Sequence, residues 1–409
     1  MVTYPEDWRE EKIEDIFSVI TDYVAAGSFA DLSQNVVYSK SPDYAQLVRT
    51  KDIKSKFTNN DFVYINKSAY EYLWRVHFDK PIIIMPNIGN CGEVYYLEPH
   101  MLPYKNSALG PNAIMLKKTT HDMKFLSYAL ERDDFQSSLA DITSPSGQTK
   151  FNKTALAKIS IVIPECFSEQ QAIASVLSDF DEHIGNLSGL IEKKKAIRDG
   201  SLDDLVSGRT RLDGFTDEWE EEPLQKICNI YDGTHQTPKY TISGIKFVSV
   251  ENISDIYNSD KYISQADYDR DFRVRPEKGD VLMTRIGDIG TSCIVGGTEP
   301  IAYYVSLALF KEIAIDSDFL NHYIESKSFK KELDDRTLHH ATPKKINKGE
   351  IGKCKIRYPK NEDEQKAIAS ILTAMDEEIE SLKIEKEKMI QIKEGAMDDL
   401  LTGRVRLKV

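Results

Sequence analysis

The stretch that decides the fold is Glu169-Gln170-Gln171-Ala172-Ile173-Ala174-Ser175, which recurs as Glu364-Gln365-Lys366-Ala367-Ile368-Ala369-Ser370. The match continues without a gap from 169–212 onto 364–407, at a constant offset of 195, with 22 of 44 positions identical. It closes on Asp203-Asp204-Leu205-x-x-Gly208-Arg209-x-Arg211-Leu212, repeated as Asp398-Asp399-Leu400-x-x-Gly403-Arg404-x-Arg406-Leu407. Such self-similarity is weighed before any fold is assigned. Within each copy the apolar residues step by four and three. Ile173, Leu177, Phe180, Ile184, Leu187 and Ile191 form one seam, and Ile368, Leu372, Met375, Ile379 and Leu382 the other. That period marks a helix packed lengthwise on another helix. A helix of about 38 residues runs roughly 57 Å at ~1.5 Å per residue. Two unrelated amphipathic surface helices are the alternative.

Working outward, the intervening segments are related but far more divergent. Glu10-Glu11 and Ile16 follow Trp8 as Glu221-Glu222 and Ile227 follow Trp219. Ile88-Gly89-x-x-Gly92 echoes Ile286-Gly287-x-x-Gly290, and Lys150-Phe151-Asn152-Lys153 echoes Lys345-Ile346-Asn347-Lys348. The chain is one unit used twice, a globular segment followed by a helix. The expected domains are residues 1–164, a helical region 165–212, residues 213–359, and a second helical region 360–409. The continuation that follows the first helix, ending in Glu218-Trp219, is found for the second helix at the front, in Asp7-Trp8. The termini are therefore expected together, with antiparallel helices under an approximate two-fold.

Bulk properties narrow the function. The net charge of −13 sits mainly in the helical segments, about −9 over 164–222 and −3 over 360–409, whereas the globular segments are near neutral. Near-neutral charge leaves room for a local basic face on each. No apolar run of about 18 residues suggests a membrane span, and the start lacks the pattern of a signal peptide. The five cysteines, Cys91, Cys166, Cys228, Cys293 and Cys354, form no Cys-x-x-Cys pair. Reduced thiols in a cytoplasm and no metal site are expected. Catalytic motifs are missing: no Gly-x-x-x-x-Gly-Lys-[Ser/Thr] loop and no Asn-Pro-Pro-Tyr-like site. Glu192-Lys193-Lys194 looks like a nuclease Glu-x-Lys but falls in the heptad helix. No stand-alone enzyme is expected.

Near-identical helices joined to unlike globular units suit two copies of one partner and two different ligands. A duplex read at two half-sites meets that requirement. At this point the chain resembles, over its full length, the specificity (S) subunits of type I restriction-modification systems. The resemblance rests on the two helical motifs and on three stretches of the second unit: Gly233-Thr234-x-x-Thr237-Pro238, the run Gly279 to Gly287, and the run Ala341 to Lys348. The first unit's Tyr23-Val24-Ala25-Ala26-Gly27-Ser28-Phe29-Ala30 is similar to a family variant and lacks the Thr-Pro loop. The resemblance implies an α+β fold, with two α/β target-recognition domains set apart by an antiparallel coiled coil of two long helices. It implies a bipartite double-stranded DNA target, two methyltransferase subunits docked on the helical regions, and restriction subunits. S-adenosylmethionine would be bound by the methyltransferase, and ATP and magnesium by the restriction partner, with none on this chain. The competing readings are a coiled-coil adaptor whose globular units bind proteins, and an enzyme with a concealed site.

Candidate DNA contacts combine donors, acceptors and cations suited to base edges or phosphate. In the second unit they are Thr234, His235, Gln236, Thr237, Lys239, Tyr240, Arg285, Arg336, His339, His340, Thr342, Lys344 and Lys345; in the first, Lys51, Asn87, Asn90, Lys105, Asn106, Gln148 and Lys150. Structural turns and solvated loops are the bland alternatives. The glycine pairs 89/92 and 287/290 are either close approaches to phosphate or tight turns. Candidate partner contacts are the repeated charges Asp181, Glu182, Glu192 and Lys193, with Asp376, Glu377, Glu387 and Lys388, which otherwise form a solvated face. Gly208 and Gly403 are expected to terminate the helices.

Overall fold

A computed structural model describes residues 4–144 and 149–408. The chain divides into two compact units, one of Met1–Asn186 with Lys386–Val409, the other Leu187–Glu385. Each long helix, Phe167–Val206 of 40 residues and Glu362–Leu400 of 39 residues, therefore contributes to both units.

The first unit carries β1 (Trp8–Lys12), β2 (Val19–Asp22), β3 (Ala45–Val48), β4 (Val63–Ile65), β5 (Ile82–Pro86), β6 (Tyr95–Leu97), β7 (Ser107–Leu109), β8 (Ala113–Lys117) and β9 (Ser160–Pro164). They form a four-stranded sheet β2-β8-β5-β6, a three-stranded sheet β4-β3-β7 and the pair β1-β9. The second unit carries β10 (Trp219–Pro223), β11 (Asn229–Asp232), β12 (Tyr240–Thr241), β13 (Ile245–Val248), β14 (Tyr262–Ile263), β15 (Val281–Ile286), β16 (Asp288–Ile294), β17 (Ile301–Tyr303), β18 (Leu307–Lys311) and β19 (Lys355–Pro359). Its sheets run β11-β18-β15-β16, β12-β14-β13-β17 and β10-β19. The topologies correspond sheet for sheet, including the parallel pairs β3·β7 and β13·β17, with β12 the one addition among the described strands. Divergent sequence thus folds onto one scaffold. The central strands β5 and β8 are buried along their length and apolar but for Lys117 at the end of β8, so both sheet faces are covered.

The first seam residues of each helix pack against the end of the other. Ile173 and Leu177 share a core with Leu400 and Leu401 in the first unit, and Leu202, Leu205 and Val206 share one with Ile368, Ala369 and Leu372 in the second. The helices run antiparallel in each unit. In the second, Lys194 pairs with Glu378 (2.8 Å) and Arg198 with Asp376 (2.8 Å), one number rising as the other falls. In the first, Glu169 pairs with Arg406 (2.5 Å) and Asp181 with Lys393 (2.6 Å).

The motifs shared by the repeats form identical joints, each motif of one copy meeting a motif of the other. Gln170 Nε2 donates to Pro164 O (2.8 Å), and its Oε1 accepts from the Asp122 N–H (2.8 Å); Gln365 does the same with Pro359 (2.7 Å) and Asp316 (2.7 Å). Each glutamine thus ties the end of β9 or β19 to a helix N-terminus. Glu169 accepts a forked pair from Arg406, and Glu364 one from Arg211. Arg406 also grips Asp7 (2.8 Å), which brings the two ends of the chain together in the first unit. Gly208 (φ +70°) and Gly403 (φ +72°) stop the helices in the left-handed region, against Trp219 and against Pro5 and Trp8 respectively.

Candidate nucleic-acid interface

In each unit one end of the central sheet gathers several loops. In the second, Asp232 at the end of β11 lies opposite Ala308, and Thr284 of β15 opposite Leu307, so both strands deliver their loops beside the start of β18. The Gly287 N–H donates to Lys344 O (2.8 Å), and the Leu338 N–H to Lys345 O (2.8 Å). The Thr234 N–H donates to Tyr303 O (3.2 Å). Three segments converge there: 233–240, the β15–β16 turn, and 336–345. The first unit repeats the plan. Asp22 and Pro86 lie opposite Ile114 and Ala113, and the Gly89 N–H donates to Thr149 O (2.9 Å). Gly89 (φ +86°) and Gly287 (φ +84°) form turns whose N–H groups donate to the neighbouring loop, so these two N–H groups are not offered to phosphate.

Most candidates sit at this end. His235, Gln236, Thr237, Lys239, Tyr240, His340, Thr342, Lys344 and Lys345 are exposed, and Thr234 is half-buried with its hydroxyl bonded to Gln236. His339 is exposed against Asp334 O (3.0 Å), and Arg336 is held by Glu332 (2.9 Å). Lys239, Lys344 and Lys345 have no ion-pair partner among the described residues, so their charge is available to an anion. In the first unit Asn90 and Lys150 are exposed and Asn87 is half-buried, donating to Phe151 O (3.3 Å). Lys51 is spent on Asp61 (2.6 Å), in a helix joined to the glycine turn through Lys54, Glu93 and Asn90. Lys105 and Asn106 stand apart, just before β7, where Asn106 donates to Tyr44 O (3.3 Å). Gln148 lies outside the described residues. Arg285 is buried, and its guanidinium is bonded internally.

On the helices, Asp181 and Asp376 are engaged at home. Asp181 accepts from Tyr128 (2.6 Å) and Lys393 (2.6 Å), and Asp376 from Arg198. Glu182, Glu377, Glu387, Lys193 and Lys388 are exposed and unpaired among the described residues; Glu192 pairs with Lys195 (3.0 Å). The repeat carried a further signal that charge alone hides. Ile197 and Ile392 are equivalent, identical and off the seam, and are 48% and 54% exposed. Equivalent Gly200 and Gly395 have open space where a side chain would stand. An apolar residue kept in both copies and left about half exposed offers apolar surface to solvent at the same place on each helix.

His322, Glu325 and Asp376 bring one ligand atom each within 4.8 Å of one another. The Arg198 guanidinium already bonds both carboxylates. The first unit builds the same cluster from Tyr128, Asp181 and Lys393, without a comparable ligand set. The cluster is a charge network tying helix to globular unit. Burial depresses the His322 pKa, Arg198 adding to the effect. No helix among the described residues is long and apolar enough to cross a membrane.

Comparison with known proteins assigns the architecture. The type I restriction modification DNA specificity domain matches residues 5–194 and again 216–392. The chain is similar to the type I restriction enzyme MjaVIII specificity subunit of Methanocaldococcus jannaschii, 26% identical over 436 residues, spanning 99% of this chain and 94% of that protein. It is also similar to the putative MjaX specificity subunit of that organism, at 24% identity over 99% of this chain and 95% of the relative. In fold it is similar to the crystal structure of the type I restriction-modification S subunit from M. genitalium, with a TM-score of 0.61 at 18% identity over 96% of each chain. A chain from a structure on complex assembly and conformational transition of the type I system gives 0.60 at 12% identity, covering 99% of this chain and 100% of that one. The adaptor reading is not favoured by these relations. Matched in both of its repeats, the chain belongs to the type I restriction-modification DNA specificity family.

Proposed function

We propose that the chain reads a two-part DNA sequence, one half with each globular unit, and lends that specificity to separate catalytic subunits. The observation that carries this is one scaffold used twice, with unlike exposed polar loops at the same sheet end of each unit. A common frame with different donors and acceptors suits two different base sequences, since phosphate contacts position a protein while base edges specify. The chain itself performs no chemistry in this reading. Two copies of a methyltransferase subunit, which would carry S-adenosylmethionine and modify adenine on each strand, dock on the repeated helical surface around Ile197 and Ile392. Restriction subunits with ATP and magnesium join to cut unmodified DNA. The site of action is the cytoplasm, and the helices fix the gap between half-sites.

The test is to map methylated adenines in host DNA with and without this chain. A split motif is expected that disappears on deletion; an unchanged methylation pattern refutes the proposal. Exchanging residues 1–150 for another recognition unit changes one half of the motif only, and a change in both halves contradicts independent reading.

A further inference from the structure

We infer that Arg285 is a positioning residue, the tie that holds the three reading loops of the second unit in one arrangement, and that Lys153 with Asn87 performs the same task in the first. The inference rests on the DNA-reading function proposed above. Arg285 sits near the end of β15 and is only 6% exposed. Its Nη1 donates to Asp232 Oδ1 (2.6 Å) and to Val305 O (3.4 Å), and its Nε to Ile346 O (3.0 Å). Its backbone N–H donates to Ser306 O (2.8 Å), and its carbonyl accepts from the Ile346 N–H (3.0 Å). These partners frame the loops. Asp232 immediately precedes 233–240, Ile346 closes 336–345, and the Val305 N–H donates to Thr234 O (3.0 Å). A planar guanidinium with five donors in fixed directions suits such a three-way junction.

The first unit arrives at the same junction with other residues. Asn87 stands where Arg285 does: the Phe151 N–H donates to its carbonyl (3.1 Å), its own N–H donates to Asn112 O (3.1 Å), and its side chain reaches Phe151 O (3.3 Å). An asparagine is too short to reach the acid at the end of the first sheet strand. That acid, Asp22, is instead held by Lys153 Nζ (2.8 Å). Both units therefore keep an acid on the strand that launches the first reading loop, and both secure it with a cation next to another loop: Arg285 on β15 just before its turn, and Lys153 at the start of the helix Lys153–Ala157 just after the third loop. In the second unit the tie is buried, and it fixes geometry because a misplaced member leaves unpaired groups behind; in the first the Lys153 side chain is 33% exposed, so its tie to Asp22 is the looser one.

The experiment uses the full chain assembled with its methyltransferase subunits and duplexes carrying the intact motif or either half scrambled. The half belonging to the second unit is the one that changes when residues 213–359 are exchanged. For Arg285→Met, discrimination at that half falls about tenfold or more, while discrimination at the other half stays within about twofold. Lys153→Met gives the reverse pattern. The double variant Asp232→Leu/Arg285→Met removes both charges; it regains thermal stability relative to Arg285→Met but not discrimination. The dependence of affinity on salt stays as in the wild type, because the buried guanidinium releases no counterion. Unchanged discrimination, equal loss at both halves, or a salt slope reduced by about one each overturn the inference. A wild-type complex that shows no split motif sinks the proposed function instead.

Discussion

Replacing Arg211 with alanine tests whether the repeated motifs act as joints. Glu364 is 0% exposed and receives two hydrogen bonds from Arg211, at 2.7 and 2.8 Å, with no other side-chain partner among the described residues. The substitution leaves a carboxylate buried without a counter-charge and removes a guanidinium lying over Trp219 at 5.7 Å. Breaking a buried ion pair costs about 3–5 kcal/mol. Because Arg211 is 31% exposed, water relieves part of that penalty, and about 3 kcal/mol is the working figure. In a unit of Leu187–Glu385 each kcal/mol moves Tm by roughly 2–4 °C, so a fall of about 6–12 °C is expected by differential scanning calorimetry. Arg211→Met/Glu364→Met recovers most of the loss, since an apolar pair of similar volume carries no desolvation cost. A single variant within about 2 °C of wild type, or a double variant no better than the single, refutes the reasoning.

Four further outcomes are expected. Cys166 is exposed, and a hydrogen bond with Ser168 lowers its thiol pKa, whereas burial pushes Cys228, Cys293 and Cys354 up to about 12; timed alkylation at pH 8 followed by mass mapping labels Cys166 well before these three. Gly403→Ala destabilises more than Gly208→Ala: both pay about 1–2 kcal/mol for the left-handed backbone, but a Cβ at 403 stands 2.5 Å from Pro5 and one at 208 stands 3.3 Å from Trp219, and denaturant midpoints rank them. Burial holds the folded His322 pKa below its ordinary value of 6.5, so the unfolded chain takes up a proton first as pH falls below about 6.5, and stability declines by at most about 1.4 kcal/mol per pH unit; His322→Gln flattens that slope, and parallel wild-type and variant stability curves between pH 5 and 7 argue against it. Ile197→Asp removes one methyltransferase copy and Ile392→Asp the other, so native mass spectrometry shows one bound copy for each single variant; two copies on both variants exclude these residues as anchors.

The sequence alone determined the repeat and the helices, because heptad spacing and identity at a fixed offset are properties of order along the chain; their antiparallel pairing followed from the motif after the first helix recurring at Asp7-Trp8. It also determined the helix stops, since Gly208 and Gly403 follow the last apolar positions. The loops were legible only as candidates. Whether Lys344 faces solvent while Arg285 is buried depends on which strands lie side by side, and that is set by long-range pairing such as β11 with β18 and β15 with β18. For the same reason Lys105 and Asn106, polar like the others, separate from them only when β3 and β7 pair in parallel. Asp181 and Asp376 looked like free surface charge until the opposite helix brought Lys393 and Arg198 to them. Period and composition fix which elements exist, whereas the availability of a charged group depends on what tertiary packing places within a few ångströms of it.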